Sequence, residues 1–164
     1  MPVKLEGSCH CGTIRFNVMS NTPVPYLLCL CSICRKTGAV GGSIILSAHA
    51  STLQISQGND HIGVYKAILN RDTKEQSVSS SGRHFCTVCS TMLWVSDERW
   101  GDLLFAFASA IDSPELEPPA EMVVIHADSK PDYVRLPEGP KQVYQGFGPD
   151  SFEQWHKNHG KFVE

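Results

Sequence analysis

Residues 13–18 alternate in hydropathy. Ile14, Phe16 and Val18 share one face and Thr13, Arg15 and Asn17 the other, the two-residue period of a half-buried strand. Short apolar runs follow at 43–47 (SIILS), 52–56 (TLQIS), 63–69 (GVYKAIL), 91–95 (TMLWV), 103–108 (LLFAFA) and 122–127 (MVVIHA), with Gly, Ser, Asn and Pro between most of them. This pattern predicts an all-β chain with two short helical exceptions. SICRKTG at 32–38 reads as one helical turn stopped by Gly38. Near the end, Asp150 or Ser151 reads as an N-cap, with Glu153 and Gln154 in the first turn and Gly160 as a stop. Ser79 to Ser81 read as a turn, and the proline-rich stretch 113–121 as a surface loop. With no internal repeat, residues 1–164 read as one domain whose residues 137–164 form a peripheral C-terminal extension.

Composition narrows this picture. At 164 residues, 41% hydrophobic and 19% charged, the chain can bury a core without disulfides. A formal charge of −3 gives no global attraction to nucleic acid or to an anionic membrane, so any anion site must be local. The longest apolar run, 103–108, is far short of the roughly 20 residues that cross a bilayer. The first residues, MPVKLEGSCHCG, lack the apolar stretch of a secretory signal, which predicts a cytoplasmic protein.

The cysteines change the picture most. All seven fall in clusters: Cys9 and Cys11 in CHC, Cys29, Cys31 and Cys34 in CLCSIC, and Cys86 and Cys89 in CTVC. A reducing compartment argues against disulfides, and an odd total would leave one thiol over. Thiolates are soft donors suited to tetrahedral zinc, and close pairs deliver two from one turn of chain. Cys9, Cys11, Cys86 and Cys89 make one natural set of four. Cys29, Cys31 and Cys34 then remain as a three-ligand set, the signature of a metal site with an open position. Spacing alone does not fix the pairing, because Cys29 and Cys31 could join Cys86 and Cys89 instead. Two competing readings are weaker. Neither CSIC nor CTVC sits at the strand-to-helix junction of a thioredoxin-like redox pair, and the pairs are too far apart for a zinc ribbon.

Other polar residues carry less. The histidines have no ligand-set spacing; His10 lies between two presumed ligands, and His84 is at most a group that orients a thiolate. No Gly-x-Ser-x-Gly elbow is present, and the pairs Asp97 with Glu98 and Glu115 with Glu117 read as solvated charge. Trp94 and Tyr65 read as core or pocket wall, since no basic stripe accompanies them.

The order GSCHCGTIRF, CLCSICRKTGA, GRHFCTVCSTMLWV and HADSKPDYV resembles the glutathione-dependent formaldehyde-activating enzyme family, also called Gfa or CENP-V/GFA, over residues 5–134. The resemblance implies a mainly β, Mss4-like or β-tent fold with short helical turns and two zinc ions. Carried over, Cys9, Cys11, Cys86 and Cys89 match the family's structural ligands, and Cys29, Cys31 and Cys34 its catalytic-zinc ligands. Two positions depart from the family pattern. Leu30 stands where His is usual, and Ser90 where Gly is usual.

The implied activity is that of a carbon–sulfur lyase joining glutathione and formaldehyde into S-hydroxymethylglutathione. Three thiolates leave zinc a weak Lewis acid, so a soft exogenous thiol is a better fourth ligand than an activated hydroxide. Arg35, Lys36 and Arg83 are candidates to contact a glutathione carboxylate, and Arg35 a candidate at the reacting centre. The expected partner is a small thiol, with no nucleic acid and no membrane. Two rival readings are a non-enzymatic β-tent module in which both zincs only fasten the fold, and a related enzyme on another thiol or carbonyl substrate.

Overall fold

The computed structural model describes residues 1–38 and 41–164. Its strands are β1 (Val3–Ser8), β2 (Arg15–Ser20), β3 (Thr22–Cys29), β4 (Ser43–His49), β5 (Gln54–Gln57), β6 (Ile62–Leu69), β7 (Ser77–Cys86), β8 (Met92–Ser96), β9 (Leu103–Phe107), β10 (Ile111–Ser113), β11 (Met122–Ile125) and β12 (Lys141–Val143). Two short helices, α1 (Ser32–Gly38) and α2 (Phe152–Asn158), complete the regular structure. The strands form a four-stranded sheet, β10-β1-β2-β5, and an eight-stranded sheet, β12-β11-β3-β4-β9-β8-β7-β6. This is a mainly β, Mss4-like fold.

Because successive side chains of a strand point to opposite faces, the large sheet has two distinct apolar surfaces. One face presents Leu46, Trp94, Leu104 and Ala106 to the small sheet, where Leu5, Ile14, Phe16 and Val18 meet them in the first core cluster. The ring of Phe16 packs 5.1 Å from that of Trp94. The alternation in residues 13–18 is thus the inner face of β2. On the other face stand Leu27, Ile45, Val95, Phe105 and Phe107, brought side by side by registers such as Ile45 with Phe107 and Val95 with Phe105.

Sequence pattern and structure part company in two places. β3 carries Pro23 and Pro25 and gives no alternating signal, yet it lies between β4 and β11. Its hydrogen bonding is irregular between Thr22 and Leu27, which accommodates prolines that have no amide to donate. Ser79 to Ser81, expected as a turn, lie inside β7, at an irregularity between the stretches that pair with β6 and just before the stretch Gly82–Phe85 that pairs with β8. Ser80 and Ser81 each donate a hydroxyl to the Asp97 carboxylate, at 2.6 and 2.8 Å, so a polar strand is anchored without apolar side chains.

From the tail, Tyr144, Phe152 and Trp155 pack on the second face of the large sheet. β12 extends that sheet in parallel with β11. Ser151 caps α2 as expected, its hydroxyl accepting from the Gln154 amide at 3.1 Å. From α2, Trp155 stacks flat on Tyr26 at 3.8 Å. His156 is fully buried; its Nε2 accepts from the Val24 amide at 3.1 Å, and its Nδ1 bonds the Phe152 carbonyl at 2.7 Å. This chelated, neutral imidazole welds the tail to β3.

Candidate functional site

Two groups of thiols are assembled by the fold. Cys9 and Cys11 lie in the turn joining β1 to β2, and Cys86 and Cys89 in the turn joining β7 to β8. These four sulfurs lie within 4.8 Å of one another, with Cys9 to Cys11 at 3.5 Å and Cys11 to Cys86 at 3.9 Å. A tetrahedral zinc with bonds of about 2.3 Å would separate its sulfurs by roughly 3.8 Å, so the donor set fits that ion. Both turns are tight. The Gly12 amide donates to the Cys9 carbonyl at 2.9 Å and the Ser90 amide to the Cys86 carbonyl at 2.8 Å. Ser90 has φ +66°, a left-handed conformation that glycine adopts more easily.

Local hydrogen bonds prepare this cluster for ionisation. The Ile14 amide donates to Cys9 Sγ at 3.2 Å. Thr91 Oγ1 lies 3.1 Å from Cys89 Sγ, and that contact holds the Cys89 thiol down at about 5. Thr13 acts in the same direction on Cys11, while burial pushes Cys86 up to about 11. A buried thiol with a raised pKa beside thiols with lowered ones is what four donors sharing fewer than four protons produce.

The second group stands at the end of β3 and the beginning of α1. Cys29, Cys31 and Cys34 lie within 4.8 Å of one another, and among the described residues no other Cys, His, Asp or Glu joins them. The Cys34 amide donates to Cys31 Sγ at 3.3 Å, the bond of a helix's first turn aimed at a thiolate. Thiol donors from Cys29 and Cys34 hold Cys31 well below the ordinary thiol range, and Cys29, as donor, is pushed up. Gly42 lies against this group with φ +154°; a Cβ there would come within 2.5 Å of the Cys29 carbonyl oxygen. The spacing of these three sulfurs also fits tetrahedral zinc with one position beyond the protein's own donors.

This second group opens on a cleft of about 620 Å³, within the range of small-molecule sites. Its floor is the second face of the large sheet and its far wall the tail, including Tyr144, Phe152 and Trp155. Arg83, on β7, reaches this cleft and donates from Nη2 to Cys34 Sγ at 3.6 Å. Its Nη1 is buried and has no hydrogen-bond partner, an uncommon state that marks a place for an acceptor.

The remaining candidates sit elsewhere. Arg35 does not line the cleft; its Nε donates to the Leu30 carbonyl at 3.0 Å, bracing the cysteine loop. Lys36 is exposed and also outside the cleft lining. Leu30 is 1% exposed and its side chain lies off the cleft, so its substitution for the family's usual His leaves the cleft wall unchanged. His84 neighbours Arg83 on the strand and therefore faces the opposite side, stacked on Trp94 at 5.0 Å, where burial lowers its pKa. Ala39, the last residue of the motif CLCSICRKTGA, lies outside the described residues. The aromatic wall from the tail escaped the sequence reading. Its only sequence signal was the density of aromatic residues at 144–155, all four of which stand on this cleft: Tyr144, Phe147, Phe152 and Trp155.

Residues 4–126 match the family described as glutathione-dependent formaldehyde-activating enzyme. A Halomonas elongata protein, provisionally designated a glutathione-dependent formaldehyde-activating enzyme, is 43% identical over 158 residues, spanning 95% of this chain and 96% of that protein. A crystal structure of a Rhodobacter sphaeroides protein superposes with a TM-score of 0.52 at 20% identity, over 67% of this chain and 90% of that one, a likeness of fold.

Proposed function

The chain belongs to the glutathione-dependent formaldehyde-activating enzyme family, and from that premise we propose that it makes and breaks the carbon–sulfur bond of a thiol–aldehyde adduct. Glutathione is the thiol in this reading. Zinc held by Cys9, Cys11, Cys86 and Cys89 fastens the fold, and zinc held by Cys29, Cys31 and Cys34 serves the reaction. The observation that carries the reading is a three-thiol group at the edge of a cleft, with no fourth Cys, His, Asp or Glu donor among the described residues. When bound there, zinc supplies a Lewis acid that keeps a substrate thiol ionised near neutral pH.

The chain's own residues do the rest. Addition forms one carbon–sulfur bond while the carbonyl π pair moves to oxygen, and the proton lost by the thiol is the one that oxygen gains. No oxidant or reductant enters. Arg83 Nη2 is engaged by Cys34, which orients the guanidinium, and Nη1 is the free donor for the adduct's developing oxyanion or for a carboxylate. Arg83 thus takes the contact for which Arg35 and Lys36 were also candidates. The apolar walls exclude water around that ion pair and strengthen it.

Elemental analysis of wild type and Cys31→Ala, with glutathione titrated into each by calorimetry, tests this reading. The expected result is about two zinc ions per chain in wild type, about one in the variant, and glutathione binding only in wild type. One zinc in both proteins, with no glutathione binding, would favour a non-enzymatic module fastened by a single metal.

A further inference from the structure

We infer that the aldehyde half of the adduct is a bulky apolar aldehyde, alkyl or aryl, whose side chain fills the aromatic part of the cleft. This rests on the thiol-adduct reading above and names its substrate class.

The argument starts from where Cys29 and Cys34 are placed. They belong to the same apolar cluster as Tyr26 and Trp155, which are 2% and 5% exposed, with Tyr144 and Phe152 packed against it. A sulfur seated at this cysteine group carries two substituents in the adduct, the thiol's own skeleton and the former carbonyl carbon. Glutathione brings two carboxylates and an ammonium, and burying these without partners is costly. Arg83 is the one Arg or Lys lining the cleft among the described residues. The acidic and amide groups of the lining include Gln142 and Asp150, both exposed to solvent, and half-buried Glu121. The tripeptide's ammonium can meet these acidic groups and its carboxylates can keep water on the solvent side of the cleft, so the carbonyl substituent faces the rings. Formaldehyde has only hydrogen there and would leave the aromatic surface unfilled. An apolar chain would cover it, each buried methylene strengthening binding severalfold.

The position of those rings in the chain points the same way. Tyr144, Phe152 and Trp155 lie beyond residues 4–126, the part that matches the family, whereas both thiol groups lie within it. Both thiol groups lie in the part matched by the family model, and the tail beyond it, which the alignment with the Halomonas elongata relative also spans, supplies the wall that selects what reaches them.

S-hexylglutathione and S-methylglutathione are unreactive thioethers that differ only in apolar length. Titrated calorimetrically into the zinc-loaded protein, the hexyl compound is expected to bind about 30-fold or more tightly than the methyl one. Phe152→Ala, and independently Tyr144→Ala, should bring the two affinities to within a few fold of each other. Equal affinities in wild type, while glutathione still binds, would overturn the apolar-aldehyde inference and leave the thiol-adduct reading standing. A hexyl preference that survives both substitutions would also overturn it, since the chain would then lie elsewhere. Failure of glutathione and both thioethers to bind would overturn the adduct reading and this inference with it.

Discussion

The two thiol groups use one kind of donor in opposite settings. Cys9, Cys11, Cys86 and Cys89 come from two strand-to-strand turns and pack against the core between the sheets, with Thr13 and Thr91 hydroxyls on the more accessible sulfurs. Cys29, Cys31 and Cys34 come from one strand end and one helical turn, on the opposite face of the large sheet, with a cleft in place of a fourth donor. The first arrangement joins distant parts of the chain and is complete. The second is local in sequence, so the fold does not depend on closing it. The difference teaches that the same donor chemistry can be set either to join distant parts of the chain or to face a cleft, according to which elements carry it.

Several perturbations can break that contrast, the strongest first. Cys86→Ala should abolish the cooperative thermal transition or prevent soluble expression, because structural zinc contributes on the order of 10 kcal/mol or more of folding free energy. Cys31→Ala should keep a cooperative transition within a few degrees of wild type by circular dichroism; comparable losses in the two variants would erase the distinction. Next, Trp155→Ala removes the ring stacked on Tyr26 and should cost about 3–5 kcal/mol in denaturant unfolding, while the zinc of the four-thiol group stays bound.

Acid should act on the same side of the molecule. Burial lowers the pKa of His156, and its Nε2 must be unprotonated to accept from Val24, with His159 adding repulsion. The unfolded chain then binds more protons than the native one as pH drops below the ordinary histidine value of about 6.5. The stabilisation is complete above that pH and is lost progressively as pH falls toward the lowered native value. Tryptophan emission followed during denaturant unfolding at stepped pH should show stability falling below about pH 6.5. The smallest effect is expected at Ser90→Gly, which relieves a left-handed serine in the four-thiol turn and should raise stability by about 0.5–1 kcal/mol.

What could be read from the sequence follows the range of the interactions involved. Ile14, Phe16 and Val18 announced their strand because one buried face imposes a local period. The helix cap at Ser151 and the thiol spacings are equally local. β7 was not legible, because its first residues pair with β6, its end pairs with β6 and β8, and Ser80 and Ser81 are held by Asp97, none of which leaves a periodic mark within residues 77–81. The contacts of the tail were not legible for a related reason. Trp155 is an ordinary surface-helix residue until Tyr26, far away in sequence, supplies a ring to cover it. At the site, thiol identity was legible and the partition left open by spacing is the one in which the sulfurs are grouped. That Arg83 reaches the cleft while Arg35 and Lys36 do not line it required knowing which strand crosses behind Cys34.

The 75-position separation between Cys11 and Cys86 also has a meaning in time. A ribosome adding about 5–20 residues per second exposes the first knuckle about 4–15 s before its partner turn has been synthesised. During that interval Cys9 and Cys11 are a bare dithiol, able to hold a metal only weakly and open to oxidation. The three-thiol loop, by contrast, is made within a single second or so. The newborn chain thus assembles its three-thiol loop before it has the means to close its four-thiol group, and the cleft over that loop comes last, with the tail.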